Sequence, residues 1–137
     1  MADWTQRGDR HRVLLVDDYP TIRKAIASHL RHLGSDVVVA ANGEEAIAHL
    51  RAGCRPCVVI LDLMMPLVNG YDVLAHIRAQ RELDGTSVIA ISADPDQHHA
   101  AVAAGAVAFL VKPMKFDELN TAVERYCGRC GIDRRTA

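Results

Sequence analysis

Two short apolar runs that each end in acid constrain the fold of this chain more than any other feature. The stretch Val58-Val59-Ile60-Leu61-Asp62 is unbroken and is bounded by turn residues, Gly53 and Pro56 before it, Pro66 and Asn69-Gly70 after it. A run of this length between such signals reads as a strand buried on both faces of a parallel sheet. Val13-Leu14-Leu15-Val16 ends the same way, in Asp17-Asp18. Acids at the carboxyl ends of buried strands emerge at the rim where open α/β sheets place their chemistry. At ~5 Å and an effective dielectric of ~20, each pair of like charges costs roughly 3 kcal/mol. A cation is therefore expected among them.

The totals narrow the classes. A chain of 137 residues holds one sizeable core, and a formal net charge of −1 with half the residues apolar describes an ordinary globular chain. Thirteen of the sixteen basic residues are Arg, but they are scattered, which gives no general argument for nucleic acid or an anionic membrane. Residues 1–11 are polar and charged, with no apolar signal region. The longest apolar stretch, Ala100 to Val111, is too short to span a bilayer and is interrupted by Gly105. A cytoplasmic location with four reduced cysteines is the expectation.

From Arg12 the pattern alternates strand and helix five times. A strand over about 12–17 leads to a helix with Pro20 at its first position and Gly34 at its exit, its apolar face being Ile22, Ile26, Leu30 and Leu33. Asp36 to Ala40 is the second strand. Asn42 then caps a helix with Glu45 three residues on, as in a capping box, and Gly53 ends it. Asn69 and Asp72 repeat the cap pattern before a third helix whose apolar face is Val73, Leu74 and Ile77. Ser87 to Ser92 is the fourth strand, Asp94-Pro95 opens an Ala-rich helix that Gly105 closes, and Val107 to Val111 is the fifth strand. Leu119, Ala122, Val123 and Tyr126 mark a final helix. Such alternation implies a doubly wound, flavodoxin-like α/β fold with five parallel strands and helices on both faces. The division expected is a flexible arm over 1–11, one domain over 12–128 and a short tail over 129–137. A strand order of 2-1-3-4-5 would bring Asp17, Asp18 and Asp62 into one crevice.

These residues resemble the receiver domain of a bacterial two-component response regulator of the single-domain, CheY-like kind. The matching stretches are Val16-Asp17-Asp18, Leu61-Asp62-Leu63-Met64-Met65-Pro66, Ser92-Ala93, and Phe109-Leu-Val-Lys112-Pro113. The strand order is itself part of the resemblance, since the family is a standard example of it. The resemblance implies that Asp62 is the phosphoacceptor and that Asp17 and Asp18 hold Mg²⁺ or Mn²⁺. Asp18 and Asp62 would bind directly, Asp17 through water, and Met64 by its backbone carbonyl. It further implies that Lys112 pairs with Asp62 and then with the phosphoryl group, aimed by a cis Lys112–Pro113 bond. Ser92 and the backbone N–H groups of Met64 and Ala93 would hold the transferred group, and Ser92 with Phe109 would form the switch.

The implied partners are a histidine kinase or histidine phosphotransfer protein and a downstream protein that meets helix 4, strand 5 and helix 5; no direct nucleic-acid or membrane contact is implied. None of the seven histidines lies in a phosphodonor pattern, and His98-His99 is expected on the surface of the fourth helix. Only Gly131 to Ala137 follow the last helix region, which leaves no room here for an output domain, although the chain could be part of a larger regulator.

Two C-x-x-C pairs, Cys54–Cys57 and Cys127–Cys130, are expected at the opposite rim, as a structural Zn²⁺ site, a redox-labile pair or merely small apolar residues. Two other functions compete with a phosphoryl-accepting switch, which is not itself an enzyme. A Mg²⁺-dependent aspartyl-nucleophile phosphohydrolase would need a second acid two residues after the nucleophile, where Met64 stands. A receiver-like module that binds partners without phosphorylation would not need Asp17, Asp18, Asp62, Ser92 and Lys112 together.

Overall fold

The computed structural model describes residues 11–65 and 69–127. The strands are β1 (Arg12–Val16), β2 (Asp36–Ala40), β3 (Val58–Asp62), β4 (Ser87–Ser92) and β5 (Ala108–Val111). Between and after them run α1 (Pro20–His32), α2 (Gly43–Arg51), α3 (Gly70–Ala79), α4 (His98–Ala103) and α5 (Phe116–Tyr126). All strand pairs are parallel, in the order β2-β1-β3-β4-β5. The expected arm over 1–11, apart from His11, and the tail over 129–137 lie outside the described residues, as does Pro66.

Every residue of β3 is buried because the strand is central and its side chains alternate between two apolar layers. Val59 and Leu61 join Leu14, Val16, Val88 and Ala90 under α2, α3 and α4. Val58 and Ile60 join Val13, Leu15, Ile89 and Ile91 under α1 and α5. Local signals set the helix ends much as the sequence indicates. Asn42 Oδ1 accepts from the Glu45 N–H at 2.9 Å while Glu45 Oε1 accepts from the Ala41 N–H at 2.8 Å, so the return bond falls one residue before the usual capping box. Asn69 Oδ1 accepts from the N–H groups of Tyr71 and Asp72.

Three expectations need correction. In α1, Ile26, Ala27 and Leu30 are buried, whereas Ile22 and Leu33 are 42% and 51% exposed. Ile22 instead lines an open apolar cleft near Pro113 and Phe116, and Leu33 is the residue after the helix end. Asp94-Pro95 opens a single 3₁₀ turn (Pro95–Gln97), and α4 proper is only six residues long. The third concerns the cysteines. Cys57 and Cys127 are joined as a disulfide rather than standing reduced, and the four-cysteine zinc site fails with them. A disulfide sulfur carries no thiolate charge for a metal. Cys54 is a separate buried thiol, and Cys130 lies outside the described residues.

Candidate functional site at the carboxyl edge of the sheet

The sheet ladder continues one rung past the strands, and that extension assembles the site. Leu63 N–H donates to Ile91 O at 3.0 Å, and Lys112 N–H donates to Ser92 O at 2.8 Å. Asp62, Ser92 and Lys112 therefore stand at adjacent strand ends, β3, β4 and β5. On the other side Val16 pairs with Leu61, so Asp17 follows β1 next to Asp62. One carboxylate oxygen from each of Asp17, Asp18 and Asp62 lies within 4.8 Å of the others. Asp17 and Asp62 are buried and Asp18 is half-buried.

Lys112 supplies one positive charge among the three clustered acids. Its Nζ lies 2.9 Å from Asp62 Oδ2 and 3.1 Å from Asp17 Oδ2. Burial pushes the Asp62 carboxyl above its ordinary 3.8, against the opposing pull of Lys112 and the Met64 N–H, and Asp17 adds to the rise. For Lys112, burial works to lower its basicity, but the Asp62 and Asp17 carboxylates together hold it above 10.5. The bond from Lys112 to Pro113 is cis.

The remaining positions also converge here. Met64 N–H donates to Asp62 Oδ1 at 3.1 Å, while the Met64 side chain is exposed. Ser92 is fully buried, and its Oγ accepts from the Asp94 N–H at 3.1 Å. Ala93 is exposed beside it. Phe109 is half-buried, with its ring stacked on exposed His98 at 5.1 Å between centroids.

Several supports escaped the sequence reading. Asp17 Oδ1 accepts from the Tyr19 N–H at 2.9 Å, and Arg23 donates to the Asp17 carbonyl at 2.9 Å, fixing that acid through the start of α1. Tyr71 donates to Gln97 Oε1 at 2.6 Å, tying α3 to the turn after Ser92. A Cβ on Gly70 would lie 2.6 Å from Asp62 O and from Leu63 Cα, so only glycine lets α3 begin directly against the acid's own backbone. A glycine at the first helical position, where it is a poor helix former, was the available signal.

The family model of the response regulator receiver domain matches residues 13–124. The chain belongs to this family. Among curated proteins it is 31% identical over 123 residues to Protein PilG of Pseudomonas aeruginosa, covering 88% of this chain and 90% of that one. It is 35% identical over 116 residues to the DNA-binding response regulator MtrA of Mycolicibacterium smegmatis, covering 83% of this chain. The chain spans about half the length of several such relatives, 49% of MtrA and 47% of the probable transcriptional regulator ycf27 of Porphyridium aerugineum. Among solved structures, Vibrio cholerae chemotaxis protein CheY4 aligns with a TM-score of 0.79 at 30% identity, over 85% of this chain and 98% of that one. The response regulator TrrA of Thermotoga maritima, in complex with Mg(2+)-BeF, aligns with a TM-score of 0.75 at 32% identity, over 85% of this chain and 98% of that one. No helix among the described residues is long and apolar enough to cross a membrane.

Proposed function

We propose that this chain is a phosphoryl-accepting switch of a two-component pathway, with Asp62 the acceptor and residues 12–128 the working unit. The observation that carries the reading is a buried carboxylate, Asp62, held by an ammonium at 2.9 Å and flanked by two more acids. Three carboxylates and one ammonium leave two negative charges, the complement of one divalent cation. The donor set is made of hard carboxylate oxygens, which suits Mg²⁺ or Mn²⁺ held by Asp17, Asp18 and Asp62, with the Met64 carbonyl as a further donor. The complex of the Thermotoga neighbour with Mg(2+)-BeF supports this choice.

A bound divalent ion would neutralise charge that develops on the phosphoryl oxygens during in-line transfer. This chain's own groups do the rest. A carboxylate oxygen of Asp62 attacks the phosphorus of a phosphohistidine on a histidine kinase or phosphotransfer protein. The phosphorus–nitrogen bond breaks, and an acyl phosphate forms on Asp62. Lys112 is near enough to follow the charge from carboxylate to phosphoryl oxygen. Ser92 accepts a hydrogen bond from Asp94 and keeps its own proton to donate to the phosphoryl group, joined by the N–H groups of Met64 and Ala93. As Ser92 moves, Phe109 turns inward and changes the face made by α4, β5 and α5, which a protein partner reads.

An apolar cleft of about 340 Å³ lined by Tyr19, Ile22, Lys112, Pro113 and Phe116 opens beside the acceptor and suits the approach of the donor protein. Met64 supplies no acid two residues after Asp62, which disfavours turnover of phosphate esters. The test is incubation of the full chain with acetyl phosphate, with Mg²⁺ or with a chelator, followed by intact mass. One added phosphoryl group with the metal and none with the chelator is expected. Equal addition in both would refute the metal's part.

A further inference from the structure

The amino-terminal edge of the sheet carries chemistry that phosphoryl transfer does not use. Cys57, just before β3, and Cys127, just after α5, are joined across 70 residues of sequence with their Cα atoms 5.0 Å apart. Cys57 Sγ lies in a backbone cradle: the Arg12 N–H donates to it at 3.2 Å, and the Arg12 carbonyl is also 3.2 Å away. As a disulfide sulfur it accepts the first bond, and as a thiol it can donate to the second. The cradle thus offers the Cys57 sulfur a hydrogen-bond partner in either oxidation state. The His11 ring is the third member, offering a nitrogen within 4.8 Å of both sulfurs. An imidazole there can take up a thiol proton and favour the reactive thiolate.

We propose that Cys57 and Cys127 form a thiol–disulfide exchange site that pins the end of α5 to the base of β3 when oxidised and releases it when reduced. The co-reactant is a dithiol–disulfide couple, either a small molecule or a redox protein. An incoming thiolate attacks Cys127 Sγ, the Cys57–Cys127 bond breaks, and Cys57 leaves as a thiolate that takes a proton. The second thiol of the co-reactant then displaces Cys127. Two electrons and two protons pass to the protein, and the co-reactant departs as its disulfide. Cys127 is buried too, at 6% exposure, but it stands at a helix end rather than beside a central strand. It caps α5 through an N–H bond to Val123 O at 2.9 Å, and a last helical turn opens locally at little cost. Cys57 is 1% exposed and precedes a strand paired on both sides.

Cys54 is a poor competitor, since burial pushes its thiol up to about 11. Where disulfides form in a reducing compartment they are usually transient and redox-sensing, which is the behaviour assigned here. The site is independent of the acceptor reading, being at the opposite edge from Asp62.

The experiment equilibrates the full chain carrying Cys54→Ala and Cys130→Ala in graded ratios of reduced and oxidised dithiothreitol. Thiols are then alkylated in denaturant, and intact mass, peptide maps and backbone deuterium uptake are measured. The expected result is a reversible passage from two alkylated thiols to none, with the Cys57 and Cys127 peptides cross-linked. Amides over the last turn of α5 should exchange about tenfold or more faster in the reduced form. Two free thiols at every ratio in a folded chain, or α5 exchange that ignores the oxidation state, would overturn the proposal. The same peptide map on the unsubstituted chain guards against a folding defect, and a cross-link through Cys54 or Cys130 in place of Cys57–Cys127 would also overturn it.

Discussion

At its carboxyl end β3 delivers Asp62 to two further acids and a lysine; at its amino end the preceding residue, Cys57, is tied to Cys127 after the last helix. The strand is continuous and buried throughout, so the contrast comes from what its neighbours bring to each edge. At the carboxyl edge like charges are crowded, burial raises the proton affinity of Asp62, and every favourable contact is one that a new ligand could exchange. At the amino edge the two joined groups are cysteines, and a covalent bond holds them. One edge is held by charges that a ligand can rearrange, while the other is held by a covalent bond that only thiol exchange can open.

Opening the amino edge should have the largest effect on stability. Closing a loop of 70 residues contributes roughly 4 kcal/mol in a chain-entropy account. Denaturant unfolding of the oxidised chain with and without reductant should show that loss, and Cys127→Ala should be insensitive to reductant. Phosphoryl acceptance at Asp62 should persist in both. If it disappeared on reduction, the two edges would not be separable.

At the carboxyl edge, Lys112→Met leaves Asp17 and Asp62 buried without their ammonium. A loss of about 2–3 kcal/mol is expected at neutral pH, together with loss of phosphoryl acceptance. The sign follows from the raised basicity of Lys112: its support is present below 10.5 and fades as pH climbs through the raised folded value. Unfolding midpoints of the two proteins should therefore converge in strong alkali.

Asp62→Asn should act in the opposite direction and by less. The folded carboxyl binds its proton more tightly than the unfolded one does, so stability falls as pH rises from 3.8 through the raised folded value. Above that range the ionised group is a cost, and its neutral replacement should raise the unfolding midpoint, by less than Lys112→Met lowers it. Thermal unfolding at pH 7 and pH 4 checks this. A stabilisation that is larger at pH 4 would contradict the sign.

Much of this was legible in the sequence because the signals are local. Buried strands show as unbroken apolar runs, so β2, β3 and β4 fall where the runs fall, and Asn42 and Asn69 announce the helices they cap. Strand order was not legible from periodicity, and it entered through family resemblance. The acids could be named because they end apolar runs, and Ser92 and Lys112 entered through family resemblance, yet their supports were hidden. The bonds from Tyr19 and Arg23 to Asp17, and from Tyr71 to Gln97, depend on how elements pack. The C-x-x-C spacing left open a shared metal, a redox-labile pair or small apolar residues, whereas the sheet brings Cys57 to Cys127, a pairing no spacing rule encodes. Exposure of Ile22 and Leu33 was likewise invisible, because helical periodicity gives a face but not which of its residues a neighbouring element covers.

The account stands most directly on the site of phosphoryl attachment. Wild-type chain and Asp62→Asn should be treated in parallel with acetyl phosphate and Mg²⁺ and their intact masses compared. The wild type should gain the mass of one phosphoryl group and the variant none. A gain in both, or in neither, would contradict the assignment of Asp62 as the acceptor.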